Sequence, residues 1–283
     1  MPFFPSLLLR CLAHLPLAAL QRLGSVLGWV LYGISPTYRR HLRENLAAAR
    51  YDDARLRRRA IAAAGQLVME LPALWLRPHE QVVALVKEIH GDDAVLAAQR
   101  AGKAILFLTP HMGAFEVAAQ YAASRLPITV LYRRPKLGWL EPLMRAGRGR
   151  ANVRLVPADL GGVREVFKAL ERGEAVGFLP DQVPGAGEGE WSEFFGRPAY
   201  TMTLAAKLAA RDNVACFLAF ARRLPRGAGY SLLVQPLVSA RAGESATRRL
   251  NRALEELVAL CPEQYLWGYN RYKTPKGAKP VPT

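Results

Sequence analysis

Short apolar runs of strand length alternate with longer segments of helical periodicity through the middle of the chain. The four strand-like runs are AILFLT, ITVLY, VRLVP and AVGFLP, at residues 104–109, 128–132, 153–157 and 175–180. The helical segments between them begin at about Ala114, near LEPLMRAG at 140–147 and at GGVREVFKALERG at 161–173. Strands that alternate with helices favour a parallel sheet covered by helices. The sequence therefore predicts an α/β fold with a mainly parallel central sheet flanked by helices.

An amphipathic helix is predicted ahead of this region. After Asp52 and Asp53, either of which can cap a helix, apolar residues recur at intervals of three and four. They are Leu56, Ala60, Ala63, Leu67 and Leu71. The opposite face is basic, either for contact with lipid headgroups or for plain solvation, and carries Arg57, Arg58 and Arg59.

The last third of the chain contains a helical segment, two longer strands and a final helix. These are TMTLAAKLAAR, VACFLAFARRL, YSLLVQPLV and SATRRLNRALEELVAL, at 201–211, 214–224, 230–238 and 245–260. The final helix is expected to bury Leu250, Ala253, Leu254, Leu257 and Val258. Because no internal repeat or low-complexity linker occurs, residues 37–275 are expected to form one domain. A flexible basic tail is expected at 276–283.

The N-terminus carries a mostly apolar segment from residue 11 to residue 34. His14, Gln21 and Arg22 interrupt it, and the cleanest apolar run covers only 23–34, shorter than the roughly 20 residues of a full span. We predict an N-terminal membrane-anchor or interfacial helix within 1–36, with an ordinary core helix as the alternative. The basic TYRRHLREN that follows disfavours a cleaved signal peptide and would keep the rest of the chain cytoplasmic.

Composition adds a strongly basic balance to this pattern. The 283 residues include 39 Lys and Arg against 23 Asp and Glu, a formal net charge of +16. Such a surplus suggests nucleic acid, anionic lipid or an acidic carrier protein as a partner, or else a solvated basic surface. No recognised nucleic-acid module occurs in the sequence, which disfavours nucleic acid. Three widely spaced cysteines imply neither a disulfide framework nor a zinc site.

A histidine and a glutamate follow the first buried strand in AILFLTPHMGAFE, residues 104–116. Positions five apart lie on different sides of a continuous helix. His111 is therefore expected on the turn that leaves the strand, with Gly113 in an unusual backbone conformation. Glu116 could then accept a hydrogen bond from one ring nitrogen and leave the other free as a general base. A satisfied structural pair is the alternative, although ligands of open α/β sheets bind at such strand ends.

A second strand end delivers Asp181 and Gln182 in AVGFLPDQ. They are expected to orient a substrate or to buttress the turn that carries His111, and a turn-forming aspartate after proline is the alternative. Between the two strand ends lies a cluster of basic side chains suited to bidentate phosphate binding, or to plain solvation. It comprises Arg133, Arg134, Arg145, Arg148 and Arg150.

Several well-known active-site motifs are absent from the sequence. It contains no Gly-x-Ser-x-Gly elbow and no Gly-x-x-x-x-Gly-Lys phosphate loop. GAGEGE at 185–190 leads into WSEFF rather than into a helix, and the five histidines lack zinc-site spacing. The nucleophile is therefore expected on a substrate, where His111 would activate it.

Taken together, the motifs resemble a known family. HMGAFE, YRRP followed by RGR, GEAVGFLPDQ, FFGRPAYTMTLAAKLA and EQYLWGYNRYK occur in family order after the apolar LPLAALQRLGSVLGWVLY. They are similar to motifs of the glycerolipid acyltransferase superfamily, and within it of the late lipid A acyltransferases. The resemblance implies a glycerolipid-acyltransferase-like fold. It also implies transfer of a fatty acyl chain from an acyl carrier protein thioester to a hydroxyl of a lipid A precursor.

The resemblance implies roles for individual residues. His111 would be the general base and Glu116 its partner. The residues implied or expected to bind substrate are Arg134, Arg148, Arg150, Asp181 and Gln182. Implied partners are the acyl carrier protein, the lipid A precursor and the anionic inner membrane at its cytoplasmic face, with no nucleic acid. No metal or redox cofactor is expected, because a thioester is already activated.

The sequence departs from the family pattern near its C-terminus. Where the family has Trp-x-His-x-Arg, this chain reads WGYNR, with Tyr269 in place of the histidine. This difference leaves open the same chemistry on another acceptor, such as a lysophospholipid, a glycolipid or an aminolipid. A non-catalytic protein that binds anionic membranes is the further alternative.

Overall fold

The structure, a computed structural model, describes residues 3–135 and 137–281. The helices are α1 (Phe3–His14), α2 (Leu17–Ile34), α3 (Pro36–Ala48), α4 (Ala54–Leu76), α5 (His79–Val83), α6 (Asp92–Arg100), α7 (Phe115–Ala123), α8 (Glu141–Arg148), α9 (Leu160–Glu171), α10 (Thr203–Ala209) and α11 (Ala246–Ala259). The strands are β1 (Val86–His90), β2 (Ala104–Leu108), β3 (Ile128–Tyr132), β4 (Val153–Pro157), β5 (Ala175–Phe178), β6 (Gly189–Phe194), β7 (Arg197–Met202), β8 (Val214–Arg223) and β9 (Tyr230–Pro236). From β2 to β5 the observed strands and α-helices match the predicted alternation.

Seven strands form the central sheet, in the order β1-β9-β8-β2-β5-β3-β4. Neighbouring strands run parallel except β8 and β9, which are antiparallel. The predicted α/β class with a mainly parallel sheet is confirmed. β2 and β5 lie in the middle and are buried along their whole length, because helices cover both faces of the sheet.

Each face of the sheet carries its own core, since alternate residues of a strand point to opposite faces. Ile105 and Phe107 of β2 pack on the side of α7, whereas Leu106 and Leu108 pack on the side of α9, α10 and α11. The predicted buried face of the last helix is confirmed on α11, where Leu250, Ala253, Leu254, Leu257 and Val258 are buried.

α4 is amphipathic and capped, as expected. The side chain of Asp53 accepts a hydrogen bond from the main-chain N–H of Leu56 at 2.7 Å, so Asp53 is the cap. On the inner face, Ala60 and Ala63 are buried. On the outer face, the side chains of Arg58 and Arg59 are exposed.

The apolar N-terminal segment forms two helices, because the chain is extended at Pro16 between α1 and α2. α2 packs tightly on α4 through glycines: a Cβ added to Gly65 would lie 1.9 Å from the carbonyl oxygen of Gly24. The other face of α2 exposes Leu23, Val26, Trp29, Val30 and Ile34. α2 is long and apolar enough to cross a membrane, and its one-sided exposure also suits an interfacial position.

The sequence pattern does not predict the edge strand β1 or the hairpin of β6 and β7. β1 is largely exposed and therefore lacks an apolar run. The hairpin turns at Phe195 and Gly196, both with positive φ, of 47° and 72°, which suits a two-residue turn between twisted strands. The predicted helical segment begins at Thr201. Because β7 includes Thr201 and Met202, α10 begins at Thr203 instead.

The two ends of the chain are only partly described. Residues 1, 2, 282 and 283, which belong to the predicted anchor and tail segments, lie outside the described residues. Within the predicted tail, the carbonyl oxygen of Lys279 accepts a hydrogen bond from Nε1 of Trp191 at 2.8 Å. The division into 1–36, 37–275 and 276–283 stays a prediction.

Candidate active site

The candidate catalytic histidine lies on the short turn between β2 and α7. Gly113 in this turn adopts a φ of +57°, as predicted. A Cβ at Gly113 would lie 2.2 Å from the carbonyl oxygen of Ala221 in β8. Glycine is required here, because both the left-handed backbone and the close approach exclude a side chain. The turn thereby holds His111 at the carboxyl edge of the sheet.

Asp181, rather than Glu116, binds the ring of His111. Its Oδ1 lies 2.8 Å from Nδ1 of the ring, and its Oδ2 accepts a hydrogen bond from the main-chain N–H of His111 at 2.9 Å. The predicted hydrogen bond between His111 and Glu116 is wrong, whereas the expectation that Asp181 buttresses the turn is correct. Sheet register explains the contact. Leu108 of β2 pairs with Phe178 of β5, and His111 and Asp181 each lie three residues further along.

Asp181 is ionised beside the ring. Its side chain is 3% exposed, and this burial alone would raise the pKa of the carboxyl. The electrostatic attraction of the His111 side chain and the hydrogen bonds from its ring and its main-chain N–H outweigh burial, so the pKa of Asp181 lies below its ordinary value. A carboxylate at Nδ1 holds the proton there and leaves Nε2 as an acceptor. The side-chain amide nitrogen of Gln182, 3.2 Å from Nε2, is a donor that suits this tautomer.

Glu116 instead forms a bidentate ion pair with Arg148 at the end of α8. Nε of Arg148 lies 2.9 Å from each carboxylate oxygen, and Nη2 also donates to Oε1. Glu116 is buried, and the guanidinium carbon of Arg148 lies 5.5 Å from the centre of the Trp75 ring. A guanidinium that is both paired and stacked has a fixed orientation. Glu116 therefore positions Arg148 and does not contact the ring of His111.

Arg150 binds the end of a helix. Its two terminal nitrogens donate to the carbonyl oxygens of Leu74, in the last turn of α4, and of Arg77, just after it, and its Nε donates to Gln120 of α7 at 3.1 Å. Burial lowers the pKa of Arg150, and the charge of Glu80 opposes this. Carbonyl groups at a helix end need such partners, so the observed contacts of Arg150 tie α4 to α7.

A cavity of about 340 Å³ opens beside His111. Its polar lining includes His111, Gln182, Glu116, Arg148 and Arg133. Its apolar walls come from the sheet and from the helices on one side of it, and include Val95, Phe107, Ala118, Ile128, Val130 and Leu232. A chamber of this composition suits a long apolar chain whose reactive end lies near a few polar groups.

Arg134, one of the predicted site residues, does not line the cavity. Arg134 is largely exposed and lies 3.8 Å from Glu141. Across residues 3–135 and 137–281, no three metal-ligating side chains are grouped closely enough to hold an ion. The structure therefore brings together His111, Asp181 and Gln182, with Arg148 on the same cavity.

Comparison with known proteins identifies the family. The family model for bacterial lipid A biosynthesis acyltransferases matches residues 2–274. The chain belongs to this family. It is 26% identical over 277 residues to the lipid A biosynthesis lauroyltransferase of Escherichia coli K12, covering 93% of this chain and 89% of the relative. It is 25% identical over 213 residues to the palmitoleoyltransferase of the same organism, covering 74% of this chain and 69% of the relative. A lipid A biosynthesis acyltransferase of Haemophilus influenzae is 25% identical over 194 residues, with 67% and 60% covered.

Sequence reasoning missed a buried ion pair that supports the turn carrying His111 in this acyltransferase. Arg223 of β8 donates to the carbonyl oxygen of Gly113 at 2.8 Å and to Glu70 of α4 at 2.8 Å. Gln21 of α2 donates to the other oxygen of Glu70 at 2.9 Å. Arg223 and Glu70 are 6% and 0% exposed. These residues lie far apart in sequence, so no local pattern could have signalled the contact.

The C-terminal WGYNR segment of the acyltransferase supports the same site from another side. The hydroxyl of Tyr269 accepts a hydrogen bond from the main-chain N–H of Val183 at 3.0 Å. The side chain of Asn45 donates to the carbonyl oxygens of Trp267 and Tyr269, at 2.7 Å each. The residue that replaces the family's histidine thus supports the turn after β5. The unusual motif was visible in the sequence, but its contact with Val183 was not.

Proposed function

We propose that this acyltransferase moves a fatty acyl chain from an acyl carrier protein thioester to a hydroxyl of a lipid A precursor, with His111 as the general base. One observation carries the proposal. The Nδ1 atom of His111 is bound to the buried carboxylate of Asp181, its Nε2 has only the amide of Gln182 as a hydrogen-bond partner among the described residues, and the residue lines a largely apolar cavity. A histidine held in one tautomer beside an acyl-sized chamber suits activation of a hydroxyl next to a bound thioester.

The proposed reaction needs only proton transfer and a stabilised oxyanion. Nε2 of His111 takes the proton of the acceptor hydroxyl as the hydroxyl oxygen attacks the carbonyl carbon of the thioester. The carbon–sulfur bond then breaks, and the thiolate of the carrier protein recovers the proton from the imidazolium. The Asp181 carboxylate stabilises the imidazolium while it exists. No metal or redox cofactor takes part in this sequence of steps.

Gln182 is proposed to contact substrate. Its amide lies 3.2 Å from Nε2 of His111, where the acceptor hydroxyl must bind for proton transfer. The hydroxyl would replace this contact, and the freed N–H groups could then donate to the thioester oxygen as negative charge develops there. Gln182 thus occupies the place of the acceptor in the resting site.

Arg148 and Arg134 are proposed to bind the phosphates of the acceptor. Arg148 lines the cavity with its orientation fixed by Glu116, so Glu116 acts through Arg148. Arg134, exposed after β3, is proposed to contact phosphate outside the cavity. Arg150 is proposed to act by holding α4 and α7 together.

The proposed location is the cytoplasmic face of the inner membrane. Support comes from the exposed apolar side of α2 and from the net charge of +16, since anionic lipid attracts basic proteins. An acidic carrier protein would meet the same positive surface. The donor, the membrane and the lipid A precursor are then the three partners.

A direct assay tests the proposal. Detergent-purified protein is incubated with a mixture of acyl carrier protein thioesters and a tetra-acylated lipid A precursor, and the products are read by mass spectrometry. We expect one added acyl mass with the wild type and with His90→Ala, an exposed histidine on β1, and none with His111→Ala. Full activity in folded His111→Ala would refute the general base.

A different lipid acceptor remains an alternative to the lipid A precursor, because Tyr269 replaces the family's histidine. Adding a lysophospholipid, a glycolipid and an aminolipid to the same mixture tests it. Acylation of one of these in preference to the lipid A precursor would keep the chemistry and change the acceptor. If the wild type acylates none of these acceptors and His111→Ala still binds anionic liposomes, the result would instead favour a membrane-binding protein without catalysis.

A further inference from the structure

Exposed apolar side chains occur beside the cavity as well as on the N-terminal helices. Leu137 is 57% exposed and Trp139 is 37% exposed. They lie between β3 and α8, around the short 3-10 turn Gly138–Leu140. A soluble surface normally leaves such side chains single rather than paired. Two such side chains lie two positions apart in the sequence and close to cavity-lining residues, which indicates that this surface contacts a partner.

Exposed arginines flank these two side chains along the chain. Arg133 and Arg134 precede them and Arg145 follows them, and all three are exposed. The ion pair of Arg134 with Glu141, at 3.8 Å, is a surface contact that leaves most of its charge available. We define the β3–α8 patch as Arg133, Arg134, Leu137, Trp139 and Arg145.

We propose that the β3–α8 patch is a second membrane contact, which inserts Trp139 and Leu137 into the interface of an anionic bilayer. Tryptophan is favoured at the level of lipid headgroups, because its ring is apolar and its N–H is polar. Each arginine near an anionic surface adds electrostatic attraction to it. Two exposed apolar side chains flanked in sequence by exposed arginines match a bilayer interface better than an acidic protein surface, which would contact the arginines alone.

The fold joins this patch to the apolar N-terminus. Gly147 of α8 packs on Trp75 near the end of α4, where a Cβ would lie 2.4 Å from the Trp75 side chain. At the same end of α4, Arg77 donates to the carbonyl oxygens of Ala13 and Leu15, between α1 and α2. The α1–α2 junction and α8 thus both contact the C-terminal end of α4. A bilayer that contacts the α1–α2 junction would therefore lie near the patch.

The position of the patch also explains its use. Arg133 belongs to both the patch and the lining of the cavity, and Met144 and Arg148 of α8 line the cavity as well. A lipid acceptor must leave the bilayer to reach His111. Contact at the β3–α8 patch would place the membrane surface at the mouth of the cavity and shorten that path. This use rests on the proposed function, whereas the membrane contact itself is measured without catalysis.

Site-directed labelling can test the contact in the full chain. A Leu137→Cys variant in a Cys11→Ser background is labelled with a small thiol-reactive fluorophore. Cys11 is exposed and must be removed, whereas burial raises the pKa of Cys216 and of Cys261 to about 12, so that both thiols react slowly. Ile89→Cys in the same background is the control, because Ile89 is 39% exposed on the edge strand at the other end of the sheet.

The labelled proteins are reconstituted into vesicles of equimolar phosphatidylglycerol and phosphatidylcholine that carry brominated acyl chains. Bromine quenches only fluorophores that reach the acyl region. We expect at least several-fold stronger quenching at position 137 than at position 89, and weaker quenching at 137 when Arg145→Glu is added. Equal quenching at both positions would overturn the proposal. A response at 137 only to added acyl carrier protein would assign the patch to the carrier and also overturn it.

Discussion

Asp181 binds His111 twice, through the ring nitrogen Nδ1 and through the main-chain N–H. The same carboxylate thereby fixes the position of the turn and the tautomer of the base. Because the pKa of Asp181 lies below its ordinary value, the carboxylate remains charged at the pH at which cells work.

Replacing Asp181 by Asn should lower kcat by about 10²- to 10⁴-fold, the range for loss of general-base catalysis, with little change in KM. An amide cannot stabilise the imidazolium, and it can hold the ring in the wrong tautomer. Steady-state kinetics across pH measure the effect. Asp212→Asn, at an exposed position, is the control, and near-normal kcat in folded Asp181→Asn would remove Asp181 from the mechanism.

Replacing Glu116 by Gln should act on acceptor binding. Arg148 would lose a charged bidentate partner, and loss of hydrogen bonds to a charged group, at about 1.5–3 kcal/mol, corresponds to a rise in KM for the acceptor of roughly 10- to 100-fold. The pH profile of kcat should stay in place, because Glu116 does not contact His111. Glu165→Gln, which breaks surface ion pairs, should leave KM unchanged. A shifted pH profile of kcat with a normal KM in Glu116→Gln would show instead that Glu116 acts on His111.

Replacing Glu70 by Leu should destabilise the fold by about 3–5 kcal/mol, because Arg223 would be left buried without its counter-charge. Denaturant unfolding in detergent, followed by circular dichroism, measures the loss. The double variant Glu70→Leu with Arg223→Met removes both charges and should recover a large part of it. If the double variant is as unstable as the sum of both single variants, the ion pair is not the source of the effect.

Two glycines of the N-terminal bundle should respond in opposite ways to alanine. Gly65→Ala places a methyl group 1.9 Å from the carbonyl oxygen of Gly24, so α2 must move away from α4, at a cost of about 1–3 kcal/mol. Gly33 also lies on α2, but a Cβ added there meets no atom within 4 Å. Gly33→Ala should therefore be neutral or stabilising by up to about 1 kcal/mol. Thermal unfolding in detergent compares them, and equal midpoints would argue against tight α2–α4 packing.

Glu244 should make the free energy of unfolding decrease at acidic pH. Its carboxylate accepts two hydrogen bonds from Arg252, each at 2.7 Å, and this pairing lowers the pKa of Glu244 to about 2. The unfolded chain has a value of about 4.3. The stabilisation is therefore present above about pH 4.3 and lost as pH falls towards 2.

Glu244→Gln should accordingly be less stable than the wild type at pH 7, with a difference that shrinks below about pH 4. Denaturant unfolding at several pH values measures this. Glu256→Gln, whose side chain is 44% exposed, is the control. A difference that stays constant down to pH 2 would show that Glu244 does not act through its charge.

The sequence by itself determined the alternation of strands and helices from β2 to β5, since apolar periodicity is a local property. It also placed His111, Asp181 and Gln182 at strand ends, and it required a special backbone conformation at Gly113. The family motifs were visible for the same reason, because each is a short continuous stretch.

Only the tertiary structure decided which of these residues meet. Glu116 lies five positions from His111 and was the nearer candidate in sequence, yet Asp181 holds the ring. Pairing of β2 with β5 sets Leu108 beside Phe178 and brings the two following turns together. The Glu70–Arg223 ion pair likewise depends on where α4 lies relative to the end of β8. Side-chain partners in an α/β fold are set by strand order and register, which arise from packing between distant segments and leave no local sequence pattern.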